Sequence, residues 1–440
     1  MTRSEWMRRA GLSATLLVVN VPVANALDIE LGAGVEAEYT TNVLRTDDAE
    51  DDLIGTVWGG ISLIERSPTL NAQVAAAADA RTYLNDTVSD DVLLSLASVI
   101  DWAISPQRFV WHLEDYYQQT QVSPLEPNRR DNQQDTNVFW TGPDLILRLA
   151  QLYTIRVGAR YGNYYYEDTD DDNERLAGSI RATRRLSTVS EIYVEADQMQ
   201  VEYDRPGTIG FDGVPNTDFD RTDAFAGWAY QSPLTEMRVE FGATRIQRDG
   251  LDDADGPLAA LFIRRQLPQD SAIGLRLMYR YTEGGGDLLS SEGGRMHVDS
   301  AEAGVIQDIV YERFLETFYD GRWGGADVGV RVYRRDEDYE EAQLDRLSHG
   351  VRADAGFRLA PAWRAGLYVA YRHRDYDQLD RRDHDLTVGT GASYLLTRRI
   401  TADFDLHHNA RDSTLDGSDF NETVGMISLR YGARPAWSER

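Results

Sequence analysis

Residues 273–282 read Ile-Gly-Leu-Arg-Leu-Met-Tyr-Arg-Tyr-Thr, and this stretch decides the fold. Ile273, Leu275, Leu277, Tyr279 and Tyr281 alternate with Gly274, Arg276, Met278, Arg280 and Thr282. A period of two sends the two sets to opposite faces of a strand, one greasy and one carrying guanidinium groups. The pattern recurs along the chain. Leu31, Ala33, Val35, Ala37 and Tyr39 alternate with Glu30, Gly32, Gly34, Glu36 and Glu38. Val351 to Leu359 and Ile400 to Leu406 repeat it, with Arg352, Asp354, Arg358, Asp403 and Asp405 on the polar side. Nothing comparable occurs at the helical spacing.

Two kinds of connection take turns between these strands. Tight ones sit at Ser67-Pro68, Ser105-Pro106, Ala150-Gln151, Ser187-Thr188, Ser232-Pro233, Pro268-Gln269, Ala360-Pro361 and Thr397-Arg398, with a less defined one between Leu315 and Gly321; their residues favour turns. Long acidic ones run over 47–52, 168–173, 204–220, 249–256, 284–294, 336–345 and 375–385. With both termini on the tight side, this predicts an all-β fold: a single antiparallel transmembrane up-and-down β-barrel of about 20 strands (roughly 18–22), with short periplasmic turns and long outer loops. Aromatic residues at strand ends fit the two interfacial girdles of such a barrel. They are Tyr39, Tyr165, Tyr281 and Tyr371 at one end, and Trp102, Trp111, Trp228, Trp323, Trp363, Tyr394 and Tyr431 at the other. A soluble β array would have shorter strands, and a propeller would show a sequence repeat that is absent here.

Composition narrows the function classes. The 440 residues contain no Cys, and the 45 basic residues are all Arg against 73 acidic ones, for a net charge of −28. Disulfide frameworks, thiolate metal sites and thiol nucleophiles are excluded. An acidic chain lacks the basic field that nucleic acid requires. The mean hydropathy of −0.47 excludes a helical membrane protein and suits a barrel wall that is polar on one side. Arg3, Arg8 and Arg9, the apolar run from Ala10 to Val23 and the Ala24-Asn25-Ala26 site predict a signal peptide over 1–26, cleaved after Ala26. The barrel then occupies 27–440, with too few residues ahead of the first strand for an N-terminal plug.

If the apolar set faces lipid, the other set lines the lumen. That assignment puts Arg156, Arg160, Arg181, Arg185, Arg238, Arg276, Arg280, Arg331, Arg352, Arg358, Arg372 and Arg374 inside, against Glu36, Glu38, Glu240, Asp354, Asp403 and Asp405. Two readings are open: an Arg corridor that binds and releases anions, or salt-bridge ladders that stiffen the wall. The segment from Asp204 to Phe219, with Pro206, Pro215 and three glycines, reads as an ordinary surface loop or, alternatively, as an inward-folding constriction.

Other chemistry finds little footing. The calcium-loop pattern fails at Leu251 and Phe262 in the 249–256 region. None of the seven His forms an H-E-x-x-H motif, and His407 and His408 must point to opposite faces. Asp383-His384-Asp385 offers a base and an orienter without a nucleophile. The expectation is therefore no enzyme, no metal and no cofactor.

The signal segment, the strand end Tyr39-Thr40-Thr41-Asn42-Val43, the Thr141-Gly142-Pro143-Asp144 stretch leading into Leu145 to Leu149, and the hairpin spacing resemble the outer-membrane β-barrel proteins found with exopolysaccharide and exosortase (PEP-CTERM) systems in Gram-negative bacteria. The resemblance implies an outer-membrane pore for an extracellular polysaccharide, in contact with membrane lipid, lipopolysaccharide, the polysaccharide and periplasmic export components. It carries no catalytic residues. The chain departs from the usual aromatic barrel terminus, because nine residues follow Tyr431. Two other functions compete with polysaccharide passage: a general or solute-specific uptake porin, and a non-conducting scaffold or adhesin acting through its acidic loops.

Overall fold

A computed structural model describes residues 27–209, 213–283 and 308–432. The predicted signal peptide and the residues after Gly432 lie outside them. Among the described residues, twenty antiparallel strands of 12 to 17 residues follow one another round a closed sheet. Closure joins β1 (Leu27–Thr40) to β20 (Phe420–Tyr431), with Val35 opposite Leu429. One 3-10 turn, Arg130–Asn132, is the sole helical element among the described residues.

The alternation sorts as its chemistry demands. On β13 (Ser271–Glu283), Ile273 and Tyr279 are exposed on the outer wall, while Arg276 lies opposite Glu316 of β14 (Ile309–Trp323) on the inner one. Exposed Leu31, Val35, Val157, Ile180, Phe241, Leu367, Val388, Phe404, Ile427 and Leu429 belong to the same outer band. In hydrocarbon every backbone polar group must be paired within the protein, and a closed sheet pairs them all. Trp111 and Trp363 stand exposed at the lower rim and Tyr39 and Tyr371 at the upper.

The eight well-marked tight turns fall where the sequence places them. The ninth does not: β14 runs on through Gly321 to Trp323, and the reversal is made by Gly324 and Gly325 at φ +58° and +91°. That left-handed pair suits a two-residue hairpin, whereas Gly321 is a strand glycine covered by Ser271. Trp323 therefore closes a descending strand. Outer loops over 84–90, 122–132 and 414–419 were not marked by the acidic stretches either.

Many loop acids are structural. Asp90, Asp172, Asp218 and Asp345 each accept the backbone N–H of a strand-terminal tyrosine, Tyr83, Tyr166, Tyr203 and Tyr339, at 2.7–3.0 Å. Asp419 does the same for Ser413 at 2.5 Å. Each carboxylate satisfies an amide that the ladder leaves open, and its charge strengthens the bond.

Candidate functional site: the lumen

The ten arginines singled out for the lumen, Arg156, Arg160, Arg181, Arg238, Arg276, Arg280, Arg331, Arg352, Arg358 and Arg372, all stand on inner-face positions of the ladder. Six of them carry carboxylate partners. Arg160 reaches both oxygens of Asp144 at 3.0 Å. Arg181 pairs with Glu195 at 3.2 Å and lies 3.8 Å over the Tyr193 ring. Arg276 meets Glu316 at 3.5 Å, Arg280 meets Glu312 at 3.6 Å, Arg331 meets Asp320 at 3.4 Å and Arg372 meets Asp385 at 3.0 Å. Arg156 and Arg358 are exposed near the periplasmic rim, and Arg352 is exposed at mid-wall, opposite Arg331.

The wall holds more acid than the strand patterns suggested. Besides the six expected, Asp79, Asp101, Glu114, Asp144, Glu195, Asp197, Asp223, Glu312, Glu316, Asp320, Glu337, Asp383 and Asp385 occupy inner positions. Most of them sit on strands whose outer face is itself partly polar, so period-two contrast is weak there. Arg175, Arg221, Arg248, Arg335, Arg346, Arg381 and Arg411 were missed for a related reason. They lie toward strand ends beyond the apolar run, and continuing the alternation from Leu386 back through Asp385 and Asp383 to Arg381 would have found one of them.

The lumen differs sharply between its two ends. Inner-face residues toward the periplasm, among them Asn71, Arg148, Arg156, Arg185, Arg358 and Arg364, are exposed. Those toward the outer end, such as Thr40, Trp58, Tyr83, Tyr166, Asn173, Ile246, Phe314, Tyr376, Asp383 and Glu422, are buried against one another. The barrel is thus a vestibule open below and packed above.

Loops and crossings complete the upper packing. Val201, Tyr203, Phe219, Ile246, Ala254, Tyr281 and Ile309 form one apolar cluster. Tyr281, expected in the girdle, is buried there and donates to Glu340 at 3.0 Å. Arg175, 1% exposed at its side chain, stacks on Tyr164 and reaches Glu283 at 2.7 Å. Arg248 reaches Glu341 at 3.1 Å. A second cluster joins Val214, Val310, Tyr339, Ala342 and Leu344, with Leu125 packed against it. Its members come from the loop stretches 122–132, 213–218 and 340–345 and from two strands, so segments distant round the ring meet over the mouth. The candidate constriction folds in through Val214.

Asp383-His384-Asp385 does not assemble a base and its orienter. His384 stands on the outer wall, where its Nδ1 lies 2.8 Å from the Tyr371 hydroxyl, while both carboxylates turn inward to arginines. No group of three or more His, Asp or Glu able to hold a metal occurs among the described residues.

The family described as "Putative beta-barrel porin 2" matches residues 345–432. None of the curated proteins matches the chain. Among solved structures, the chain is similar to OmpT, an outer membrane protein of Vibrio cholerae, at 10% identity and a TM-score of 0.40, covering 93% of this chain and 100% of that one. It is similar to opdK of Pseudomonas aeruginosa at 10% identity and a TM-score of 0.40, covering 92% and 99%. For the FrpB iron transporter of Neisseria meningitidis the values are 9% and 0.47, covering 92% and 82%. A closed barrel with an apolar belt, charged inner wall and porin-family match is a porin-like protein of the bacterial outer membrane.

Proposed function

We propose that this barrel conducts an anionic, hydroxyl-rich polymer, an extracellular polysaccharide, outward from the periplasm. The observation that carries the reading is the axial asymmetry of the lumen. Exposed guanidinium groups, Arg148, Arg156, Arg185, Arg358 and Arg364, stand where a polymer enters from below, and each offers a planar fork that a carboxylate or sulfate fills weakly and reversibly. The upper end is shut by side chains and by the loop carrying Val214, so an outward-moving chain meets its barrier last. The resemblance read from the sequence points to the same substrate class. Paired arginines such as Arg276 and Arg280 set the charge pattern of the wall, and neighbouring acids keep any single site from holding the polymer too long.

Planar-bilayer recording tests this. Oligogalacturonate added on the periplasmic side is expected to interrupt the current more often than uncharged dextran of equal length, and more often than when added outside. A barrel that carries current yet shows no difference between charged and neutral oligomers, or between sides, contradicts the proposal.

A further inference from the structure

Six neighbouring inner positions near the outer end hold an unusual charge balance. Arg372 and Arg374 lie on β17 (Trp363–Tyr376), Arg381, Asp383 and Asp385 on β18 (Arg381–Leu395), and Arg411 on β19 (Ile400–Ser413). Asp385 takes three guanidinium groups at once: Arg372 at 3.0 Å, Arg374 at 2.7 Å and Arg411 at 2.7 Å. Asp383 takes Arg381 at 2.8 Å and Arg374 at 3.7 Å, and accepts from Ser413 at 2.7 Å. Four positive charges thus share two negative ones.

The balance does not close on looking further along the wall. Arg346 is bound to Glu337 at 2.5 Å, and Glu312 is already shared by Arg335 at 3.0 Å and Arg280 at 3.6 Å. These additions bring three more arginines and only two carboxylates. The side chains of Arg374, Arg381 and Arg411 are 8%, 3% and 6% exposed. Each also has one buried nitrogen without a hydrogen-bond acceptor: Nε of Arg374, Nη2 of Arg381 and Nη1 of Arg411. Buried charge is costly unless paired, and unpaired guanidinium donors add to that cost. The less buried edge of the cluster is Arg372 and Asp385, at 20% and 18%.

We infer that these arginines form a discrete oxyanion site, in which a carboxylate or sulfate group reaches the cluster past Arg372 and Asp385 and supplies the missing negative charge. Asp385 marks what the site accepts, since it is a carboxylate already held by three forks. A second oxyanion takes up the donors it leaves open. Chloride fits less well because it cannot accept in the bidentate geometry that guanidinium offers. The inference deepens the proposed passage of an anionic polymer by placing one saturable station at the narrow end. It does not depend on the direction of transport.

Equilibrium titration of the detergent-solubilised barrel with galacturonate, sulfate, chloride and galactose tests it. Galacturonate and sulfate are expected to bind saturably and in competition with each other, with chloride at least tenfold weaker and galactose silent. Arg411→Gln should weaken galacturonate about tenfold, as loss of a charge-assisted bond does. Asp385→Asn should tighten it by a similar factor, because it removes a competing charge from the same forks. A purely structural cluster would lose binding in both variants or show none to lose. Heat-modifiable migration on gels reports folding, and if Asp385→Asn fails to fold, the wild type and Arg411→Gln decide. Absence of saturable oxyanion binding to the wild type overturns the site. If the site is empty while oligogalacturonate still interrupts the current from below, only this inference fails. If it fills while the barrel carries no current, the conduit reading fails instead.

Discussion

Replacing Val214 with Asp should open the barrel. Val214 is 6% exposed and packs on Val310, Tyr339, Ala342 and Leu344, so the valine side chain contributes on the order of 1.5–3 kcal/mol to keeping its loop over the mouth. The aspartate forfeits that contribution and adds the penalty of a carboxylate among apolar groups, which the loop escapes by undocking. The loop's own hairpin should survive, because Gly207 donates to the Asn216 carbonyl and Asn216 to that of Thr208, each at 2.8 Å. Its base stays tied to the next loop, where the Asn216 side-chain amide donates to the Asp170 carbonyl at 2.8 Å. The loop is therefore expected to swing from the distant wall without unravelling. Single-channel recording of Val214→Asp should show larger or more frequent openings than wild type, with Val214→Ile unchanged. Wild-type conductance in a folded Val214→Asp barrel would refute the assignment of this loop as the closing element.

Three further outcomes are expected. Arg276→Glu sets a carboxylate against Glu316 and should move the reversal potential in a salt gradient toward cation preference while the barrel stays folded; Arg280→Glu should do the same at greater cost in stability, because Glu312 is 2% exposed. An unchanged potential in both would count against arginine control of selectivity. Gly227→Ala should lower the urea midpoint by the equivalent of about 1–3 kcal/mol, since the new Cβ falls 2.2 Å from the Tyr193 ring, whose hydroxyl donates to Glu240; an unshifted midpoint would mean that the ring does not lie across that glycine. Burial first, and then Asp204, Asp171 and Asp170, push the Asp172 carboxyl up to about 6, against the opposing hydrogen bond from Tyr166. A raised carboxyl favours the folded loop most fully below its unfolded value and loses that contribution as pH rises through about 6. Amide exchange over 167–172, corrected for intrinsic rates, should therefore quicken through that range in wild type and not in Asp172→Asn.

How much of this was legible depended on how sharply the two faces differ. Where one face is apolar and the other charged, as from Ile273 to Arg280, the sequence predicts both strand and orientation, and Arg276 lies inside as expected. Where both faces are partly polar, the contrast fades. Asp115, on the outer face, accepts from Asn137 of the next strand, so its neighbour Glu114 could not be sorted by hydropathy alone. Turns were readable where Ser-Pro or similar pairs occur and misread where Gly321 mimicked one. The closed upper end was the least visible feature. Tyr281 and Val214 meet partners far away in sequence, and nothing in local periodicity records such contacts.

The division of labour at the upper end follows from the kinds of force holding it. Asp385 and its three arginines belong to three neighbouring strands and close a stripe of wall that the sheet already fixes. Moving any of them means breaking ladder bonds as well as ion pairs, so this part resists opening. The Val214 cluster joins apolar side chains of separate loops and strands, and that adhesion scales with a small apolar area. Of the two, the loop is the element that a passing polymer can displace, and the arginine stripe is the fixed surface against which it passes. Polymer charge should therefore act on binding at the stripe, whereas polymer girth should act on the loop. Val214→Asp ought accordingly to raise the flux of charged and neutral oligomers by the same factor, leaving their ratio untouched; a change in that ratio would mean that the loop itself discriminates charge.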